Sequence, residues 1–206
     1  MRKSKLLPGM AMLLAVLLMS MRFVSDGYKV GDTVADFKLK NVDGKAVSLA
    51  DRKDVKGYII AFTCNTCPVA KAYESRIIAL NEQFAPKGYP VVAIQSNDEQ
   101  RSPGDSYGAM QQRARGKSYG FPYLHDETQA VAKAFGATNT PHMFVLKKEG
   151  DAYKVAYIGA IDNNQRDAAA ADKKYVEQAV TELLAGKPVT MPTARAIGCG
   201  IKWRDA

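Results

Sequence analysis

The stretch Ile59-Ile60-Ala61-Phe62-Thr63-Cys64-Asn65-Thr66-Cys67-Pro68 constrains this chain more than any other. A β-branched and aromatic run bounded by polar residues predicts a buried strand, and Val69, Tyr73, Ile77, Leu80 and Phe84 then recur at helical spacing. The two cysteines of the C-x-x-C therefore fall on a strand-to-helix turn. The start of a helix offers unpaired N–H groups and partial positive charge, which stabilise a thiolate. On that reasoning Cys64 is expected to carry the depressed pKa, with Cys67 further along and less accessible. Pro68 fits a helix start, because it lacks only a donor that the first turn leaves unpaired anyway. The pattern points to thiol redox chemistry.

Two other uses of such a pair are a structural disulfide and half of a zinc site. A bridge closing four residues restricts the unfolded chain by only about 2 kcal/mol, against about 3 for a fifteen-residue loop. Zinc needs two more ligands, and Cys199, His125 and His142 are the only other soft candidates, without a second C-x-x-C or an H-x-x-x-H spacing. Neither a metal nor another cofactor is expected.

At the amino end, Arg2, Lys3 and Lys5 precede an uncharged apolar run over residues 10–21. These resemble the basic and apolar regions of a secretory signal, and the run is short of the roughly 20 residues that span a bilayer. Residues 1–25 are expected to be a signal peptide or an uncleaved signal anchor, with Ser20 and Ser25 as passable cleavage positions. The location implied is extracytoplasmic, with the membrane touched only through such an anchor. The formal charge of +8 comes from 29 Lys and Arg against 21 Asp and Glu. Without the four basic residues of that leader (Arg2, Lys3, Lys5, Arg22) the remainder carries 25 against 21. Its charges are dispersed, which excludes a nucleic-acid footprint.

Residues 26–206 are enough for one well-buried domain, and no linker or repeat divides them. Phe37 and Leu39, then Val47 and Leu49, alternate with polar residues around a turn at residues 42–45, predicting a hairpin. A strand over 58–63, a helix over 68–84 and a strand over 90–95 form a βαβ unit with parallel strands. Residues 96–105 are polar and turn-rich, and 107–117 form a short basic helix of no legible role. Asp126 with Gln129 reads as a capped helix start, ended by Gly136. Strands over 142–146 and 152–158 and a helix over 172–185 follow. The expected class is α/β, a thioredoxin-like sandwich whose central mixed sheet is flanked by helices, with an N-terminal β-hairpin extension.

Residues 62–68 (FTCNTCP), 70–74 (AKAYE), 122–124 (PYL) with 126–129 (DETQ), and the tail 196–203 (AIGCGIKW) resemble, in order, a thioredoxin-fold redoxin of the peroxiredoxin-like AhpC/TSA group. The resemblance implies that Cys64 attacks a substrate disulfide and Cys67 resolves the mixed disulfide. It implies a cis proline at Thr140-Pro141 facing that pair and contributing to substrate binding, and a protein disulfide or dithiol substrate with a redox donor protein. The chain departs from peroxiredoxins, whose P-x-x-x-[ST]-x-x-C is replaced by Gly57 and Ala61 ahead of Cys64, and by Ile60 and Cys64 ahead of Cys67. Asn139 stands where relatives often carry a further cysteine.

The preferred expectation is an exported thiol–disulfide oxidoreductase of the TlpA/ResA kind. Alternatives are a thiol peroxidase and a copper metallochaperone like the Sco proteins, whose cysteine spacing is one residue longer. Asn65, Thr66 and Pro68 are candidates for tuning the couple. His142 is expected to be a strand residue, or else an imidazolium that tunes the thiolate. In the tail, Ile197, Cys199, Ile201 and Trp203 alternate with Gly198, Gly200 and Lys202, predicting a strand-like segment packed on the domain. Cys199 is expected there as a small buried hydrophobe, with a third redox thiol as the alternative.

Overall fold

The structure is a computed structural model that describes residues 27–204, so the leader expected over residues 1–25 lies outside the described residues. In chain order the strands are β1 (Thr33–Val34), β2 (Lys38–Asn41), β3 (Ala46–Ser48), β4 (Gly57–Phe62), β5 (Val91–Gln95), β6 (Tyr123–His125), β7 (Asn139–Thr140), β8 (His142–Glu149), β9 (Ala152–Gly159) and β10 (Cys199–Gly200). The helices are α1 (Pro68–Phe84), α2 (Tyr107–Gly116), α3 (Ala130–Phe135) and α4 (Tyr175–Leu184). Eight strands form one mixed sheet in the order β1-β9-β8-β4-β5-β6-β2-β3. β4 and β5 run parallel, as do β5 and β6, while β8 runs antiparallel to β4.

Alternation along β4 sorts its side chains into two cores. Ile59 and Ala61 join Val91, Ala93, Met143 and Val145 under Tyr73, Ile77 and Leu80 of α1, Met110 of α2 and Val180 of α4. Tyr58, Ile60 and Phe62 join Val92, Ile94, Phe144 and Leu146 on the opposite face, closed by Ala132 and Phe135 of α3 and by Ile201. A strand covered on both faces has no polar side, which is why this run is continuously apolar. Full burial of Ile60 contributes about 1.5–3 kcal/mol.

The β2–β3 hairpin extends the sheet beyond β6, with Gly44 at φ 87 in its turn. α1 has the bounds that the sequence predicts, whereas the other helices begin or end elsewhere. α3 starts at Ala130, not near Asp126, because Gln129 takes a left-handed conformation (φ 61) and Asp126 caps from a distance. Its carboxylate accepts from the amides of Val131 (3.3 Å) and Ala132 (2.8 Å). α4 starts at Tyr175, three residues late. β6, β1 and β7 had no periodic signal, since two or three residues cannot display one.

The tail packs on the domain but does not bury one alternating face. β10 pairs antiparallel with β7, Cys199 opposite Thr140 and Gly200 opposite Asn139. Ile201 is buried, Cys199 and Trp203 are half-buried, and Ile197 is 45% exposed.

Candidate active site

β4 and β5 keep their register past the strand end, where the Thr63 amide donates to the Ile94 carbonyl (2.9 Å). The chain then turns through Cys64, Asn65 and Thr66 into Cys67, which is the N-cap of α1, with Pro68 at the first helical position. The Cys67 sulfur accepts from the Ala70 amide (3.5 Å), so the helix start is aimed at Cys67 and not at Cys64.

The intervening loop is fixed from behind by Asp105. One oxygen of its carboxylate accepts from the amides of Asn65 (2.6 Å) and Thr66 (3.0 Å). The other accepts from the hydroxyls of Thr66 (2.7 Å) and Ser102 (2.6 Å) and from Nδ2 of Asn97 (2.8 Å). The Asn65 side chain donates to the Gly104 carbonyl (3.0 Å) and accepts from the Tyr123 hydroxyl (3.1 Å). The segment between β5 and α2, of no legible role in the sequence, is therefore the back wall of the C-x-x-C.

The front is Thr140. The Thr140-Pro141 bond is cis. The Thr140 hydroxyl lies 3.2 Å from the Cys64 sulfur, and the Cys67 thiol lies 3.3 Å from the Thr140 carbonyl. All three cysteines are free; Cys64 and Cys67 are buried, and Cys199 packs against them.

The electrostatics reverse the sequence expectation. Burial raises the Cys64 pKa and the Asp105 carboxylate raises it further, outweighing hydrogen bonds from Thr140 and the Cys67 amide. Burial also works to raise Cys67, but hydrogen bonds from the Cys199 thiol, the Ala70 amide and the Cys199 amide bring it below the ordinary thiol value. The Thr140 carbonyl opposes this, since it accepts only from the protonated thiol. The helix start does favour a thiolate, but the sulfur it faces is that of the N-cap residue, three positions after Cys64. Cys199 is pushed up to about 11 by burial and by its bond to Cys67.

His142 is not an imidazolium. Burial lowers its pKa to about 4, and Nδ1 accepts from the Thr138 amide (3.3 Å), which a protonated ring could not do. It is a neutral strand residue packed on Phe144, with ring centroids 4.8 Å apart. Among the described residues no group of His, Cys, Asp and Glu is arranged to hold a metal ion, and no helix is long and apolar enough to cross a membrane.

The AhpC/TSA family profile matches residues 30–157, more than half of the chain. This protein belongs to the AhpC/TSA family. An uncharacterized conserved protein from Geobacillus kaustophilus is 36% identical, with 87% of this chain and 94% of that one covered at a TM-score of 0.80. The thioredoxin-like fold also recurs in two more distant structures. One is a putative thiol:disulfide interchange protein DsbE from Chlorobium tepidum (20% identity, 77% and 99% covered, TM-score 0.59). The other is the peroxidoxin BcpB from Mycobacterium tuberculosis (21%, 76% and 97%, 0.58). No curated protein matches the sequence significantly. The neighbours show the thioredoxin-like fold, and the family match makes this chain a member of a redox family with that fold.

Proposed function

We propose that the protein is a thiol–disulfide oxidoreductase working outside the cytoplasm on protein disulfides, with Cys64 and Cys67 as its dithiol–disulfide couple. The observation that carries this reading is the placement of both cysteines against one residue, Thr140, across a strand-to-helix turn. The Cys67 thiolate attacks one sulfur of a substrate disulfide, and the electron pair of the broken S–S bond leaves on the other substrate sulfur, which takes up a proton. Cys64, deprotonated, then attacks the Cys67 sulfur of the mixed disulfide. The Cys64–Cys67 bond forms and the second substrate thiol departs, so two electrons and two protons pass to the substrate. A redox donor protein returns the couple to the dithiol. Export is supported by the basic start and apolar run of residues 1–25 and is tested by the amino-terminal sequence of the protein recovered from an extracytoplasmic fraction.

The test of the couple is reduction of insulin disulfides together with peptide mapping of the oxidised protein. A Cys64–Cys67 disulfide is expected, with turnover lost in Cys67→Ser and in Cys64→Ser combined with Cys199→Ser. Cys64→Ser, with Cys199 also changed to Ser so that no neighbouring thiol can displace the substrate, should trap mixed disulfides on Cys67, and trapping only by Cys67→Ser would refute the order of attack. Absence of the disulfide would refute the function.

A thiol peroxidase is the second reading, favoured by the family and by the lowered Cys67 pKa. A peroxide would convert the Cys67 thiolate to a sulfenic acid with release of hydroxide or alkoxide, which takes up a proton, and Cys64 would condense with the sulfenic acid, releasing water. Gly57, Ala61 and Ile60 stand where peroxiredoxins place the residues that position a peroxide. Hydrogen peroxide turnover faster than disulfide turnover would favour this second reading.

A further inference from the structure

We propose that Cys199 is a third redox thiol of this site, exchanging into the Cys64–Cys67 disulfide at Cys67 and serving as the point where a dithiol reductant enters. The proposal rests on the Cys64–Cys67 couple proposed above and adds a second, internal disulfide to it.

The tail is built to bring this cysteine to the site. β10 pairs antiparallel with β7 in a two-stranded sheet of their own and places Cys199 opposite Thr140. The Thr140 hydroxyl, already on the Cys64 sulfur, also lies 3.4 Å from the Cys199 carbonyl. One residue thus touches all three cysteines. The approach requires a glycine beside Cys199, because a Cβ on Gly198 would stand 2.1 Å from the Thr140 carbonyl oxygen. Both ends of the segment are tied down. Asn139 Nδ2 donates to the Gly198 carbonyl (3.0 Å), and the Ile201 amide donates to the Thr138 carbonyl (3.0 Å). Beyond them, the Lys202 amide donates to Asn97 (2.9 Å) and Gln129 donates to the Lys202 carbonyl (2.9 Å).

Exposure separates the three thiols. Cys64 and Cys67 are 7% and 4% exposed, whereas Cys199 is half-buried and accessible from outside. In the exchange, Cys199 gives up its proton and its thiolate attacks the Cys67 sulfur. The Cys67–Cys199 bond forms, the Cys64–Cys67 bond breaks, and its electron pair leaves on Cys64, which takes up the proton. Nothing is oxidised or reduced overall. An external dithiol then attacks the half-buried Cys199 sulfur, the most accessible of the three, and expels Cys67, whose low pKa makes it the better leaving group. The second thiol of the dithiol resolves the resulting mixed disulfide, leaving three protein thiols and an oxidised dithiol.

The experiment oxidises wild type and Cys64→Ser in glutathione disulfide and maps disulfides by mass spectrometry. It also times reduction of the oxidised wild type and of Cys199→Ser by dithiothreitol, with thermal melts to establish that each variant is folded. The expected result is an intramolecular Cys67–Cys199 disulfide in monomeric Cys64→Ser, and reduction about tenfold slower in Cys199→Ser than in wild type. If Cys199→Ser unfolds, Cys199→Ala replaces it in the rate measurement. Wild type carrying Cys64–Cys67 while Cys64→Ser keeps both thiols free, or equal reduction rates, would overturn the third thiol and leave the couple standing. Wild type carrying only Cys67–Cys199 would uphold the third thiol and overturn the couple.

Discussion

Replacing Asp105 with Asn separates the two things that its carboxylate does, holding the loop and loading charge beside Cys64. With Oδ1 kept on the amides of Asn65 and Thr66, the new Nδ2 replaces the oxygen that accepted from Thr66, Ser102 and Asn97. The two hydroxyls can turn to become acceptors. The Asn97 amide cannot reverse without taking its own oxygen away from the Lys202 amide (2.9 Å). One buried donor is therefore left unpaired, costing about 1–3 kcal/mol, and the surviving bonds fall from charged to neutral strength, bringing the loss to about 3 kcal/mol. At 2–4 °C per kcal/mol for a domain of this size, Tm should fall by about 6–12 °C in the reduced protein. Removing a negative charge that raises the Cys64 pKa should also lower that pKa and so stabilise the reduced form. Calorimetry gives the first number, and the pH dependence of Cys64 alkylation with a glutathione titration of the couple gives the second. An Asp105→Asn protein that melts within about 2 °C of wild type and alkylates along the same pH profile would refute the reasoning.

Three further perturbations probe the neighbours. Glu74, buried between α1 and α2, has its pKa raised by burial but lowered more by Arg113, Tyr119 and Lys117, for a net decrease. That stability is present above the ordinary carboxylate range and is lost as pH falls through the lowered folded value, so Glu74→Gln should cost about 2 kcal/mol at pH 7, a gap that closes below about pH 4 in denaturant titrations. His142, held near 4 by burial, binds its proton more readily unfolded, so wild type should lose up to about 3 kcal/mol between about pH 6.5 and pH 4. Acid melts of His142→Gln should show that limb flattened; an unchanged limb would sink the account. Thr140→Val removes the hydroxyl on Cys64 (3.2 Å) and should raise the Cys64 pKa further for about 1 kcal/mol of stability, read as slower alkylation of Cys64 at pH 8.

What the sequence disclosed follows from the range of each signal. α1 and the buried β4 and β5 declare themselves because periodicity and composition act over five to seventeen residues, and the turn between β4 and α1 places the cysteines with them. The cis position at Thr140-Pro141 came from resemblance and stands in the structure. Asp105 was invisible because its partners, Asn65 and Thr66, lie about forty residues away and a buried acid looks like any turn residue in a polar segment. Gln129 read as half of a capping box, but its side chain donates to the carbonyls of Ser96 and Lys202 and accepts from the Arg204 amide, long-range tasks that no local motif encodes. The inverted pKa order has the same origin. Spacing placed the helix start correctly, but which sulfur faces its amides depends on the cap conformation, and which feels a carboxylate depends on Asp105.

The pairing of β10 with β7 also fixes when the site comes into being. A chain emerging from its amino end presents Cys64 and Cys67 first, Thr140 73 residues after Cys67, and Cys199 after both. At synthesis rates of about 5–20 residues per second, the C-x-x-C spends about 7–26 seconds without the strand that covers it. Within that interval its thiols meet solvent and passing oxidants first without Thr140 and then without Cys199 against them. Arrival of β10 is then the event that adds Cys199 to the pair and makes a matched set of three.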